Sequence, residues 1–120
     1  MHRYAVYFAR TLIGHSALEG GDPPMSVAIG RFWSVPAYET IQSRVVAAFD
    51  LPQNDLAFVV VDTETGSSLP AQGGTQILDA SGDLGPEGIE IHVLGIEYPL
   101  YEKRFPGRYA AYEASFSKAR

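Results

Sequence analysis

The chain contains no cysteine among its 120 residues. This absence excludes disulfide bonds, iron–sulfur clusters, thiol catalysis and cysteine-ligated zinc. It fits a reducing compartment, and we expect a cytoplasmic protein. Long apolar runs are also missing, so the sequence predicts no membrane-spanning helix. The first residues lead directly into a strand pattern and show no apolar signal-peptide core.

Basic residues are few and unevenly placed. Nine lysines and arginines stand against fourteen aspartates and glutamates, which gives a net charge of −5. Residues 1–97 hold four basic and twelve acidic side chains, whereas residues 98–120 hold five basic and two acidic ones. Because an acidic body repels a phosphate backbone, we expect no nucleic-acid partner.

Side chains that carry chemistry are sparse. The three histidines are far apart in the sequence and lack the close spacing of metal ligands: His2, His15 and His92. Two pairs of carboxylates flank a turn and a strand, where a solvated acidic surface is the simpler interpretation: Asp62 with Glu64, and Glu90 with Glu97. No nucleophile elbow, phosphate loop or Ser–His–Asp arrangement is visible. We therefore expect no enzyme activity, no cofactor and no metal.

Hydrophobic periodicity predicts an alternation of strands with one helix. Apolar residues alternate or cluster in strand fashion at 4–13, 26–33, 56–61, 67–71 and 89–96. Pro36 is suited to a first helical turn, and Ile41, Val45 and Phe49 recur at four-residue spacing, which predicts a helix over 36–49. The glycine-rich segments 14–24 and 72–88 are interpreted as loops.

Three short motifs resemble ubiquitin, in the same order along the chain. Residues 40–45 read Thr-Ile-Gln-Ser-Arg-Val after Pro36, similar to the start of the ubiquitin helix. Residues 51–54, Leu-Pro-Gln-Asn, stand where ubiquitin leaves its helix, and residues 91–94, Ile-His-Val-Leu, resemble its last strand. The chain thus resembles the ubiquitin-like β-grasp superfamily over about residues 3–96.

The resemblance implies an α+β fold. It consists of a mixed five-stranded β-grasp sheet, strand order 2-1-5-3-4, with one main helix across it and the first and last strands parallel. We expect this domain over residues 1–97 and a partly helical, aromatic and basic C-terminal extension over residues 98–120. The chain has no terminal Gly-Gly pair of the kind that a conjugated modifier needs, so the resemblance implies a non-conjugated domain.

A β-grasp sheet buries one face under its helix and leaves the other face open. The predicted core comprises Val6, Phe8, Ile41, Val45, Phe49, Ile91 and Val93. The alternating neighbours then point outward, and we expect a partner-binding surface formed by Tyr7, Val59, His92 and Leu94. The alternative is that the C-terminal extension folds back over this face.

The extension is unusually aromatic. Residues 98–120 contain six of the fourteen aromatic side chains, and disordered tails are poor in these residues. Tyr109, Tyr112 and Phe116 would align on one face of a helix that packs on the domain. Tyr101 and Phe105 complete the predicted partner-binding set.

These patterns favour a non-catalytic protein-interaction or assembly module that binds a peptide or helix of another protein. The N-terminal domain of a larger scaffold or cytoskeletal protein is the leading hypothesis. One alternative is a domain that binds small GTPases through a basic edge strand, with Arg31 on that strand and Arg3 and Arg10 beside it. A second alternative is a docking subunit of an enzyme complex.

Overall fold

The computed structural model describes residues 3–22 and 26–96, together with Leu100 and Phe105. This described part contains eight strands: β1 (Tyr4–Phe8), β2 (Thr11–Ser16), β3 (Gly20–Asp22), β4 (Val27–Arg31), β5 (Trp33–Ser34), β6 (Val59–Asp62), β7 (Gly74–Asp79) and β8 (Ile89–Leu94). Its helices are short: α1 (Gln42–Ala47) and α2 (Ser81–Leu84), with 3-10 turns at Pro36–Thr40, Asn54–Leu56 and Pro86–Gly88. None of the described helices has the length and apolar character needed to cross a bilayer.

The strands form two antiparallel sheets. Sheet A has the order β5-β2-β1-β6, and sheet B has the order β3-β4-β8-β7. The α+β class is therefore confirmed, but the single mixed five-stranded sheet with order 2-1-5-3-4 is wrong. The expected parallel pairing of the first and last strands does not form, because β1 lies between β2 and β6 while β8 lies between β4 and β7.

The first correction concerns residues 4–13, which were predicted to form one strand. They form the hairpin β1–β2, in which Phe8 pairs with Thr11 across a two-residue turn at Ala9 and Arg10. Both turn residues have positive φ, 50° and 68°. Such turns match the twist of the flanking strands but normally carry Gly, Asn or Asp. With Ala and Arg there instead, the sequence gives no turn signal.

The second correction concerns residues 14–24, predicted to be a loop. They form the end of β2 and the strand β3, and the chain then returns through β4 and β5. β2 pairs with β5, where Gly14 lies opposite Ser34, and β3 pairs with β4, where Gly20 lies opposite Ile29. The ribbon passes from sheet A to sheet B at Leu18, whose φ is 46° and whose amide donates to the Ser16 hydroxyl. One long, bent hairpin therefore joins the two sheets.

Close approach at this hairpin makes Gly14 intolerant of a side chain. A Cβ at Gly14 would lie 2.4 Å from the ring of Phe32 and 2.7 Å from the carbonyl oxygen of Trp33. Phe32 is buried and packs edge-on against Tyr38, so its ring has little room to move. We expect Gly14→Ala to lower the free energy of unfolding in urea by about 1–3 kcal/mol.

Gly82→Ala is the matched control, because nothing lies within 4 Å of a Cβ there. It should be neutral or slightly stabilising, since alanine favours the helical backbone of α2. Equal urea midpoints for the two variants would contradict the packing argument.

One hydrophobic core draws residues from both sheets and from the segment between β5 and β6. The predicted core members Val6, Ile41, Val45, Ile91 and Val93 are buried, and Phe8 packs at its margin. Phe49 is the exception, because its side chain is 47% exposed. The predicted helix over 36–49 is a 3-10 turn followed by α1, which ends at Ala47, so the helical stripe no longer applies to Phe49.

The third correction concerns residues 72–88, which were interpreted as irregular. They contain β7, which pairs along its whole length with β8 and packs against α1. In contrast, the return strand predicted at 67–71 is reduced to an isolated bridge between Val61 and Ser68.

The predicted extension is described at two residues only. Leu100 packs against the core, and Phe105 is buried with its ring 6.1 Å from that of Tyr4. Phe105 therefore belongs to the core of this chain and is not available as an exposed contact for a partner. The predicted helical stripe of Tyr109, Tyr112 and Phe116, as well as Tyr101, lies outside the described residues, and the division at residue 97 stays a prediction.

Candidate functional site

Sheet B has an inner face in the core and an outer face toward solvent. Along β8 the inner residues Ile89, Ile91 and Val93 are buried, whereas Glu90 is exposed and His92 and Leu94 are half-buried. The register places further residues beside these three: Leu78, Gln76 and Gly74 on β7, and Arg31 and Ile29 on β4. We call this set the outer face. The burial pattern along β8 confirms that His92 and Leu94 point away from the core, as predicted.

The predicted binding residues do not lie on one surface. Tyr7 and Val59 pair with each other in sheet A, where Val59 is 45% exposed and Tyr7 is half-buried. His92 and Leu94 lie on sheet B, and no strand is shared between the sheets. The expected single patch is thus split into two surfaces, because the first and last strands are not neighbours.

Large apolar side chains that sequence reasoning missed flank the outer face. Phe49, Leu51 and Leu84 are 47%, 55% and 69% exposed. Phe49 and Leu84 line a groove of ≈ 280 Å³, the Phe49 groove, with Leu78, Ala80, Glu87, Gly88 and Glu90. Leu51 lines a cleft of ≈ 370 Å³, the Leu51 cleft, together with Gln53, Gln76 and Leu94 among others. Since Leu78, Gln76, Glu90 and Leu94 also belong to the outer face, both depressions open beside it.

Several polar groups of the outer face have partners within the chain, although the Arg31 Nε is buried without a hydrogen-bond partner among the described residues. The imidazole of His92 lies 3.2 Å from the carboxylate of Glu90, and the guanidinium of Arg31 lies 3.4 Å above the ring of Trp33. Gln76 donates to the carbonyl of Leu51 at 2.7 Å, which ties the Leu51 cleft to β7. The outer face is therefore an ordered surface with a mixed polar and apolar character.

A buried carboxylate holds the Phe49 groove in shape. Asp79 is 3% exposed and accepts hydrogen bonds from the hydroxyl of Tyr38 at 2.7 Å and the amide of Gln42 at 3.1 Å. The backbone N–H and the hydroxyl of Ser81 donate to its other oxygen at 2.8 and 2.5 Å. These contacts connect β7 to α1 and fix the start of α2, which carries Leu84.

Two pKa values reflect this network. Burial, followed by the hydrogen bond to Asp79, raises the pKa of Tyr38 above its ordinary value. Burial alone would raise the pKa of Asp79, but hydrogen bonds from Ser81, Tyr38 and Gln42 together outweigh burial and hold that pKa below 3.8. Because four donors surround this carboxylate, its oxygens are occupied by structural contacts.

The carboxylates considered as an acid–base pair are engaged in an ion pair. Asp62 is 1% exposed and accepts a two-pronged contact from the guanidinium of Arg3, at 3.0 and 2.8 Å, while Glu64 lies 3.4 Å from the same group. The hydrogen bond to Asp62 raises the pKa of Arg3 above its ordinary value. Glu97 of the second pair lies outside the described residues. Among residues 3–22 and 26–96, no group of three or more His, Asp or Glu side chains could hold a metal ion.

The basic edge strand expected for a GTPase-binding domain is absent at the predicted place. Arg31 lies on β4, which is flanked by β3 on one side and β8 on the other. The backbone N–H of Arg31 already donates to the carboxylate of Glu19 at 2.6 Å. Arg3 is held by Asp62, so two of the three arginines in that hypothesis have partners within the chain.

Comparison of the chain with protein-family models, with curated proteins and with solved structures finds no match.

Proposed function

We propose that the chain is a non-catalytic protein-binding module whose contact surface is the outer face of sheet B with its two flanking depressions. The observation that carries this proposal is the exposure of Phe49, Leu51 and Leu84 beside that face. Phe49 and Leu84 share one groove and Leu51 lines the other depression, and exposed apolar side chains in depressions with a polar surround mark interaction sites on soluble domains. Binding through such a surface suits an assembly or scaffold role.

Sheet A offers a smaller candidate surface. Its exposed large apolar residues are Trp33 and Val59, on strands at opposite edges of the sheet. Two separated side chains provide little contiguous apolar area, and for this reason sheet B is the better supported of the two surfaces.

The ubiquitin-like family is retained as a proposal that rests on the three sequence motifs alone. This family implies a parallel pair of the first and last strands, whereas β1 and β8 each pair with other strands and in the antiparallel sense. A cytoplasmic location is likewise proposed on the lack of cysteine.

The proposal predicts which substitutions remove a partner. The full chain is immobilised and used to capture proteins from a native extract, in parallel with a Leu51→Ser, Leu84→Ser variant. Both side chains are mostly exposed, so the thermal melt should change little. We expect the proteins captured by the parent to be lost with the double variant, because hot spots of interfaces are large apolar side chains.

Val59→Ser is the matched control, since it removes an exposed apolar side chain from sheet A. It should leave capture unchanged. Capture that survives the double variant and disappears with Val59→Ser would place the contact surface on sheet A and refute the proposal.

A further inference from the structure

We infer that the Phe49 groove receives a cationic peptide segment, in which a bulky apolar side chain enters the groove between flanking lysine or arginine residues. This inference rests on the proposed function and adds the chemistry of the partner. It is carried by the apolar lining, the rigid presentation of that lining and the charge around it.

The groove presents its apolar side chains on fixed backbone. Leu84 belongs to α2, whose turn is closed by hydrogen bonds from the amide of Leu84 to the carbonyl of Ala80 and from Ala80 to the carbonyl of Gly88. A Cβ at Gly88 would lie 2.7 Å from the Cβ of Leu84, so the leucine packs directly over this glycine. A preformed apolar wall costs little ordering when a ligand binds.

The charge around the groove is negative. Glu87 and Glu90 line it, Asp83 precedes Leu84 and is exposed, and none of the lysines or arginines that the structure describes is among its lining residues. Along the sheet register Arg31 lies opposite Glu90, but its guanidinium stacks on Trp33, and the imidazole of His92 lies 3.2 Å from the Glu90 carboxylate. A ligand with positive charge on both sides of its apolar anchor would therefore meet complementary potential.

Other occupants fit this charge less well. The body of a second copy, residues 1–97 with twelve acidic and four basic side chains, would meet the acidic rim with like charge. A nucleic acid would bring phosphates to the same carboxylates. A cationic segment with an apolar anchor satisfies both the lining and the rim.

The test measures the affinity of the full chain for three labelled synthetic peptides by fluorescence anisotropy. The first has a leucine and a phenylalanine flanked by lysines and arginines, the second replaces both anchors with serine, and the third replaces the basic residues with glutamate. We expect saturable binding of the first peptide only, weakened by added salt because exposed charges are screened.

Two variants locate the site. Leu84→Ser should weaken binding of the first peptide by about tenfold or more, as expected for loss of an apolar hot spot of about 1.4 kcal/mol. Glu87→Lys should weaken it by about threefold to tenfold, whereas Glu39→Lys, at an exposed carboxylate outside the groove, should have little effect. Thermal melts of all variants check that the fold is intact.

Equal binding of the cationic and glutamate peptides would overturn the inference, as would equal loss of binding with Glu87→Lys and Glu39→Lys. Absence of binding because a second copy fills the groove would also overturn it, and sedimentation velocity detects that copy as a dimer sensitive to Leu84→Ser. A natural partner that is lost with Leu51→Ser, Leu84→Ser while the cationic peptide fails to bind would refute this inference and leave the proposed function standing.

Discussion

Replacing Asp79 with alanine should lower the free energy of unfolding by about 3–5 kcal/mol at neutral pH. The carboxylate is buried and accepts hydrogen bonds from three residues: Tyr38, Gln42 and Ser81. Its removal leaves the Tyr38 hydroxyl without an acceptor in a site where that residue is 2% exposed. Each buried polar group that loses its partner costs about 1–3 kcal/mol, and urea unfolding measures the total.

The loss should depend on pH in a defined direction. The folded-state pKa of Asp79 lies below the ordinary value of 3.8. A carboxyl group with a depressed folded-state pKa contributes stability that is fully present above the unfolded-state pKa and is lost as the pH falls through the folded-state value. The difference between the parent and Asp79→Ala should therefore be constant at neutral pH and shrink once the pH falls below about 3.8.

Tyr38→Phe separates the carboxylate from one of its donors. It removes only the hydroxyl, so we expect a loss of about 1–2 kcal/mol and an unchanged hydrogen bond between Asp79 and Ser81. Combining the two changes should cost less than their sum, because both remove the same contact. If the parent and the Asp79→Ala protein lost stability in parallel below pH 3.8, the pH dependence of the parent's stability would not arise from the Asp79 carboxylate.

The parts of the fold that the sequence predicts correctly are those with a strict local period. Ile89, Ile91 and Val93 alternate with Glu90 and His92, and this two-residue period predicted both the strand and its buried face. The outward direction of His92 and Leu94 follows from the same alternation. Their role in binding a partner stays a prediction.

The errors arise where local chemistry gave no signal or the wrong one. Ala9 and Arg10 adopt positive φ in the turn although neither is glycine or asparagine. The pattern therefore predicted one strand where there are two antiparallel strands. The predicted sheet order came from the β-grasp resemblance, which implies a parallel pair of first and last strands, whereas β1 is flanked by β2 and β6. In β7, Gly74 and the polar residues Thr75 and Gln76 resemble a loop, although pairing with β8 makes them a strand.

The groove and its support depend on contacts between distant parts of the chain. Tyr38 and Asp79 are 41 residues apart, and no periodicity connects them. Phe49 fits the helical stripe of Ile41 and Val45 by spacing, but the helix ends two residues before it. A spacing rule assigns a side chain to a face only while the regular element continues.

Replacing Gln53 with leucine should lower the free energy of unfolding by about 2–6 kcal/mol. Sequence reasoning missed this residue entirely. Gln53 stands in a segment that reads as a loop, yet it is 1% exposed. Its side-chain amide donates to the carbonyl of Ile77 at 2.8 Å and its oxygen accepts from the N–H of the same residue, also at 2.8 Å. The side chain thereby pairs with β7 as a neighbouring strand would.

Leucine has a similar size but cannot replace either hydrogen bond. Both peptide groups of β7 at Ile77 would then be buried without partners, at about 1–3 kcal/mol each. Unfolding in urea and amide exchange at Ile77 should both report the change, since the N–H of that residue loses its acceptor. An unchanged exchange rate at Ile77 in the leucine variant would contradict the pairing.

Gln53→Glu tests the same pair of hydrogen bonds, because glutamate keeps the acceptor but loses the donor while it is ionised. A glutamate carboxylate can still accept from the N–H of Ile77, but its second oxygen faces the carbonyl of Ile77 and repels it. When protonated, the acid regains a donor for that carbonyl. Relative to Gln53→Leu, the glutamate variant should therefore gain stability as the pH falls from neutral toward about 4, because protonation restores both bonds and removes a buried charge. If Gln53 only filled space, protonation would remove the buried charge without restoring either bond, and Gln53→Glu at about pH 4 would be no more stable than Gln53→Leu, whereas we expect it to be the more stable of the two.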